Sequence, residues 1–142
     1  MALTDEVEDV TEAWNQFEDL QHVFLATMEG DQPRARPVTL VFLDKKFWIT
    51  TDTWSAKVKQ IQENPKVEFS MIFKEGNNDC CIRVAGRAEI IRNKETKAKL
   101  AKHCDFFDKH WKSVDDPDYT LLKIHPVEIA IVKPNKTTHM KI

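Results

Sequence analysis

The run Thr50-Thr51-Asp52-Thr53-Trp54-Ser55-Ala56-Lys57 gathers hydroxyl groups and one cation where a β-branched segment gives way to an amphipathic one. A helix that begins there leaves its first backbone N–H groups free and presents the positive end of its dipole, which is a seat for an anion. Thr51, Thr53 and Ser55 add hydroxyl donors, and Lys57 adds a full positive charge within the first turn. A lysine in that place is repelled by the dipole. A bound anion removes the conflict, and a phosphate monoester is the obvious one. The competing reading makes Ser55 an ordinary cap and directs Lys57 into water. The stretch alone leaves both open.

A second stretch, Pro33-Arg34-Ala35-Arg36-Pro37-Val38-Thr39-Leu40, places two arginines two residues apart, on one face of a strand. Pro37 has no N–H for a ladder and marks an edge or a bulge. The arginine fork suits planar or anionic ligands, although a solvated rim accounts for the pair equally well.

The elements that must hold these residues follow from hydrophobic period. Leu3, Val7, Val10, Trp14, Phe17 and Leu20 recur at helical spacing, with Thr4 as cap and Asp5 and Glu6 at the positive end of the dipole. Residues 22–28 and 34–43 read as strands joined by the turn Glu29-Gly30-Asp31-Gln32, and 46–51 as a third strand after Asp44-Lys45. A short helix over 54–63 ends at Asn64-Pro65. Strands over 67–73 and 80–91 flank the loop 75–78; in the second, Ile82, Val84, Gly86, Ala88 and Ile90 alternate with Arg83, Arg87 and Glu89. Asn93 caps a helix with Leu100, Cys104, Phe107 and Trp111 on one stripe. Strands over 119–124 and 127–132, separated by His125-Pro126, complete about seven short strands. Short strands with hairpin-length links predict a mainly β fold, an antiparallel barrel with helices, rather than a βαβ sheet.

A length of 142 residues fits a single domain, 1–142, and 42% hydrophobic residues allow a core of matching size. A formal charge of −2 lacks the basic excess of a general nucleic-acid binder, so no nucleic acid is expected as partner. With three glycines, at 30, 76 and 86, neither a P-loop nor a dinucleotide fingerprint can be built. The acidic first residues are no secretory signal, and no apolar run reaches the roughly eighteen residues of a membrane span, so no membrane partner is expected. Cys80, Cys81 and Cys104 are odd in number and two are adjacent, which fits a reducing cytoplasm.

His103, Cys104 and His110, even with Cys80 and Cys81, lack the spacing of a zinc site, and Cys104 is explained as a small buried apolar residue, so no metal is expected. His22 reads as an ordinary polar residue. Trp14, Trp48 and Trp111 read as core or interface residues, and Trp54 stands beside the candidate phosphate turn. The acidic loop 115–118 reads as solvated.

Taken in order, Ala26-Thr27, Gly30-Asp31, Pro33, Arg36-Pro37-Val38, Thr51, Ser55, Lys57, Asn64-Pro65, Val67 and the later Val84-Ala85-Gly86-Arg87-Ala88-Glu89 resemble the pyridoxamine 5′-phosphate oxidase-like, FMN-binding split-barrel family over roughly residues 15–133. The resemblance implies a split β-barrel and a homodimer with FMN at the interface. It implies that Ser55 and Lys57 hold the phosphate, with Ala56 giving its backbone. Arg36, Pro37, Val38 and Thr39 would line the isoalloxazine and ribityl chain, Thr50 and Thr51 would flank it, and the strand near Cys81–Arg83 would reach the ring from the same chain or its partner. The true oxidases carry an arginine where this chain has Ala56, so one phosphate contact is missing. They also end in a basic, histidine-containing segment that residues 133–142 do not match, which argues against pyridoxamine phosphate as substrate. The short, general-stress-protein-like members are the closer likeness.

The expected function is therefore an FMN-dependent oxidoreductase acting on a small molecule. Its alternatives are a non-catalytic flavin-binding protein, or the same barrel holding haem or a deazaflavin; His125 and His139 are the remote haem ligands. No side chain in the sequence stands out as a general acid or base, and hydride transfer does not require one.

Overall fold

The computed structural model describes residues 11–142. Among the described residues, a helical stretch at 11–15 precedes seven strands and three further helices: β1 (Leu20–Glu29), β2 (Gln32–Leu43), β3 (Lys46–Asp52), α1 (Ala56–Glu63), β4 (Lys66–Glu75), β5 (Asn78–Ile91), α2 (Lys94–His103), α3 (Phe107–His110), β6 (Tyr119–Lys133) and β7 (Lys136–Lys141). All neighbouring strands run antiparallel in the order β3-β2-β1-β4-β5-β6-β7, and a further β3–β6 pairing closes the sheet on itself. The expected antiparallel split barrel is the fold observed.

Tight turns set the register. Gly30 and Gly76 adopt φ of 60° and 63° in the β1–β2 and β4–β5 turns, where glycine carries no Cβ penalty. Asp44 and Lys45 both adopt φ 57°, the twist that matches a two-residue hairpin. With register fixed, period-two alternation sorts the side chains. Phe47, Ile49, Leu25, Leu40, Phe69, Ile82, Val84 and Ile124 fill the barrel, with Phe17 edge-on to Phe47 and Phe69. The outer faces of β2, β3 and β6 are covered too: Val41, Trp48 and Leu121 pack under Leu100, Cys104, Phe107 and Trp111.

The structure corrects four expectations. Only residues 11–15 of the first segment are helical among those described, and Leu20 already belongs to β1; Leu3, Thr4, Asp5, Glu6, Val7 and Val10 lie outside the described residues. The stripe Leu100, Cys104, Phe107, Trp111 is buried as expected but spans two helices, because Cys104 takes extended backbone (φ −92°, ψ 110°). Residues 119–124 and 127–132 form one strand. Pro126 is tolerated there because the β5–β6 register shifts at Ala85/Gly86, a bulge that needs no ladder N–H from it. Gly86 is required opposite, since a Cβ would lie 2.2 Å from the His125 carbonyl oxygen. Finally, residues 136–141 form β7, in which Met140 is the buried residue.

Candidate functional site

The β3–α1 junction is built as the hydroxyl-rich run suggests. Ser55 occupies the N-cap position of α1 in extended backbone (φ −67°, ψ 148°), yet its side chain makes no capping bond. Its Oγ instead accepts from Lys57 Nζ at 3.2 Å, and the same ammonium donates to Thr51 Oγ1 at 2.7 Å. Thr51 and Ser55 oxygens are 3.4 Å apart. The first turn of α1 carries no acidic residue. Of the two readings of Ser55, the ordinary side-chain cap is therefore not the one observed.

Arg36 comes to the same end of the barrel from β2. Its guanidinium donates to Thr27 Oγ1 at 2.8 Å, to Gln60 Oε1 at 3.0 Å and to the Leu25 carbonyl at 3.3 Å, and Thr27 in turn donates to Gln60 Oε1 at 2.6 Å. Thr27 and Gln60 are both buried. This network fixes the arginine from β1 and α1 together without neutralising it. Burial, and then the positive charge of Arg36, push the Lys57 ammonium below the ordinary lysine range, while Asp52 opposes the shift. Burial likewise lowers Arg36. Among the described residues neither cation has a carboxylate within ion-pair distance. Two partly desolvated cations without an ion-paired carboxylate, beside a helix start with no side-chain cap, are an arrangement with the charge and donors to seat a doubly charged anion.

The remaining expected residues divide between the two faces of their strands. Val38 packs into the barrel core, and Thr51, alternating with Ile49 and Phe47, is buried on that side. Pro37, Thr39, Thr50 and Asp52 occupy the outer face. There Thr39, Thr50 and Asp52, with Thr51 between the last two, line one wall of a cavity of about 370 Å³, and Phe106, His110 and Trp111 line the other. Trp111 is buried and donates its Nε1 to Asp52 Oδ1 at 3.0 Å. Thr50 Oγ1 is buried, and no group of the described residues meets it in strict hydrogen-bonding geometry; its nearest polar neighbour is the Cys104 thiol, which burial pushes up and the Thr50 hydroxyl partly brings back down. Ala56 is exposed at the first position of α1, where only its backbone faces the anion site.

Arg34 stands apart from Arg36. It is exposed and paired with Glu29 at 2.8 Å, so of the two it is the solvated one. The strand segment Cys81–Arg83 is not brought to Arg36–Thr39 within one chain, because β1 and β4 intervene, a separation of about 14 Å at ordinary strand spacing. Trp54 is 74% exposed beside the turn. Among the described residues no three His, Cys, Asp or Glu side chains gather where they could hold a metal ion, and no helix is long and apolar enough to cross a membrane.

Comparison with known proteins gives the family and the fold. The family model described as pyridoxamine 5′-phosphate oxidase matches residues 10–133. The chain belongs to that family. Within it, General stress protein 26 of Bacillus subtilis (strain 168) is similar, at 26% identity over 119 residues, 83% of this chain and 84% of its own length. Among solved structures, a NimC/NimA family protein from Clostridium acetobutylicum is similar at TM-score 0.75 and 26% identity, over 97% of this chain and 93% of that one. A heme binding protein from Mycobacterium smegmatis shares the fold at TM-score 0.77 and 15% identity, over 92% of this chain and 56% of that one. The oxidase-family match spans both the Arg36 strand and the Ser55–Lys57 turn.

Sequence reasoning missed Gln60 and Phe106, named Thr27 only as part of the family likeness, and weighed His110 only as a metal ligand. Gln60 had a signal, since it sits among Val58 and Ile61 on the buried side of a short helix, where a polar residue needs a partner. Phe106 and His110 had none. Their place depends on the break at Cys104, which no local pattern marks.

Proposed function

We propose that the chain binds FMN and acts as a flavin-dependent oxidoreductase on a small organic molecule. The observation that carries this reading is the convergence of Lys57 and Arg36, without counter-charge, on a helix start whose N-cap serine does not cap. The phosphate of FMN supplies the missing charge. Lys57 and Arg36 hold it electrostatically, the Ser55 and Thr51 hydroxyls orient it, and the Ala56 N–H completes the cradle. Pro37, Thr39 and Thr50 on the outer face then lie along the ribityl chain and ring, with Val38 offering only its backbone there. When bound, the flavin supplies the electron transfer, and the protein's part is to hold it and shield its ring.

Two features favour a homodimer. Phe24 and Ile72 are 58% and 69% exposed on the outer face, and Pro37 stands directly across from Phe24 in the register. Covering that apolar stripe with a second copy removes it from water and brings a partner's strand to the edge of the flavin ring, where Cys81–Arg83 of the partner subunit can reach it. Phe24→Glu should convert a dimer to a monomer in sedimentation at micromolar concentration. A wild-type monomer under those conditions contradicts the assembly.

The absorption spectrum of the purified protein tests the cofactor. Flavin bands that return on adding FMN to stripped protein support the reading; a Soret band or a deazaflavin band replaces it with another ligand in the same barrel. Turnover with a nicotinamide donor and a panel of acceptors then separates an enzyme from a flavin carrier.

A further inference from the structure

The cavity between the outer face of β2–β3 and α3 has a lining that fits a particular class of molecule. On the helix side Phe106 and His110 stand edge to face (centroids 6.0 Å apart, 77°), and His110 lies against Trp111 at 5.3 Å, so three rings make a continuous wall. The bond from Trp111 to Asp52 fixes the plane of the indole and occupies one oxygen of the carboxylate. Opposite are the half-buried Thr39 and Thr50, the Oγ1 of the latter shielded from solvent beside the Cys104 thiol, which leaves Thr39 as the hydroxyl a ligand can meet. No lysine or arginine lines the cavity. A carboxylate or phosphate ester placed there has no cation to pair with and meets Asp52, and burying an unpaired charge is costly. A flat, uncharged ring with one polar edge stacks on the aromatic wall and satisfies a threonine hydroxyl.

We propose that this cavity is the substrate seat, and that it selects uncharged planar aromatic compounds over their anionic analogues. The proposal rests on the flavin reading, since Thr39 and Thr50 are shared between the seat and the expected path of the ring. In this proposal substrate stacks on the ring wall of α3 while flavin keeps to the strand wall, so the two bind together and do not compete. The chain thereby differs from an enzyme whose substrate is gripped by its phosphate.

The test uses the full chain and a matched pair of probes, 2-naphthalenemethanol and 2-naphthoate, with affinities measured by calorimetry on protein first titrated with FMN. The alcohol should bind at least tenfold tighter than the carboxylate. Phe106→Ala should weaken the alcohol at least fivefold while leaving FMN affinity unchanged. His110 is exposed at the lip, so His110→Ala folds regardless and should weaken the alcohol by a smaller factor. Equal or tighter binding of naphthoate, unchanged alcohol affinity in both variants, or displacement of FMN by the alcohol overturns the proposal. If FMN itself fails to bind, the flavin reading falls; the same pair measured on the unloaded chain then decides the charge selectivity of the cavity separately.

Discussion

The starts of α1 and α2 obey opposite rules. At α2, Asn93 Oδ1 accepts from the Thr96 N–H at 2.9 Å, Glu95 stands in the first turn, and Lys102 and His103 sit at the far end where the dipole favours them. Its early lysines are engaged, Lys94 by Asp115 and Lys97 by the Tyr119 carbonyl. At α1 the capping serine turns away from the helix, no acid follows, and the first-turn lysine is partly buried near a second cation. One helix start is finished by the chain itself. The other is left without a side-chain cap or an acid in its first turn, and departures from local rules of this kind concentrate at functional sites.

Four measurements test that contrast. Lys57→Ala should lower FMN affinity about tenfold to hundredfold, the value of a charge-assisted contact, whereas Lys112→Ala, which removes an exposed lysine outside the cation cluster, should leave it unchanged; equal affinities for Lys57→Ala and wild type remove the lysine from the site. Asn93→Ala should lose about 1 kcal/mol of stability, roughly 3 °C in Tm, with FMN affinity untouched. Ser55→Ala should do the reverse, keeping Tm within error in the ligand-free protein and weakening FMN about twofold to fivefold by fluorescence titration; a Tm loss matching that of Asn93→Ala would make Ser55 a cap after all. The smallest effect is a pH dependence. Because burial lowers the Lys57 proton affinity in the fold, the unfolded chain holds this proton over a span just below the ordinary lysine range where the native state does not. Stability of the ligand-free protein relative to Lys57→Met should therefore rise as pH rises through that span. A difference that stays flat, followed by urea midpoints, shows the ammonium to be freely solvated.

Much of the barrel was legible because its strands alternate cleanly: β5 buries Ile82, Val84, Gly86 and Ala88 and exposes Arg83, Arg87 and Glu89 as the pattern requires. The limits were non-local. Pro126 reads as a break in one dimension and proves to be a bulge once Gly86 lies opposite it. The strand β7 carries little apolar signal beyond Met140, because its other residues face water. Of the site, the Ser55–Lys57 turn and Arg36 were visible, since cations beside a proline-marked strand and a helix start are local features. Gln60 and Thr27, which hold Arg36 in place, and the ring wall of α3 depend on contacts across more than twenty residues of sequence or on a helix break.

β2 and β3 work on both of their faces: Arg36 and Thr51 point to the cation cluster, Thr39 and Thr50 to the aromatic-walled cavity. Such strands have no idle side, and a slip of one position would exchange the two linings while also turning Leu40 and Ile49 out of the core. Chain length in this hairpin is therefore under double constraint. A single residue inserted within β2 should abolish both recognition surfaces at once, whereas the same insertion at the Gly76-Asn77 tip, whose neighbours are exposed, leaves room for the loop to grow.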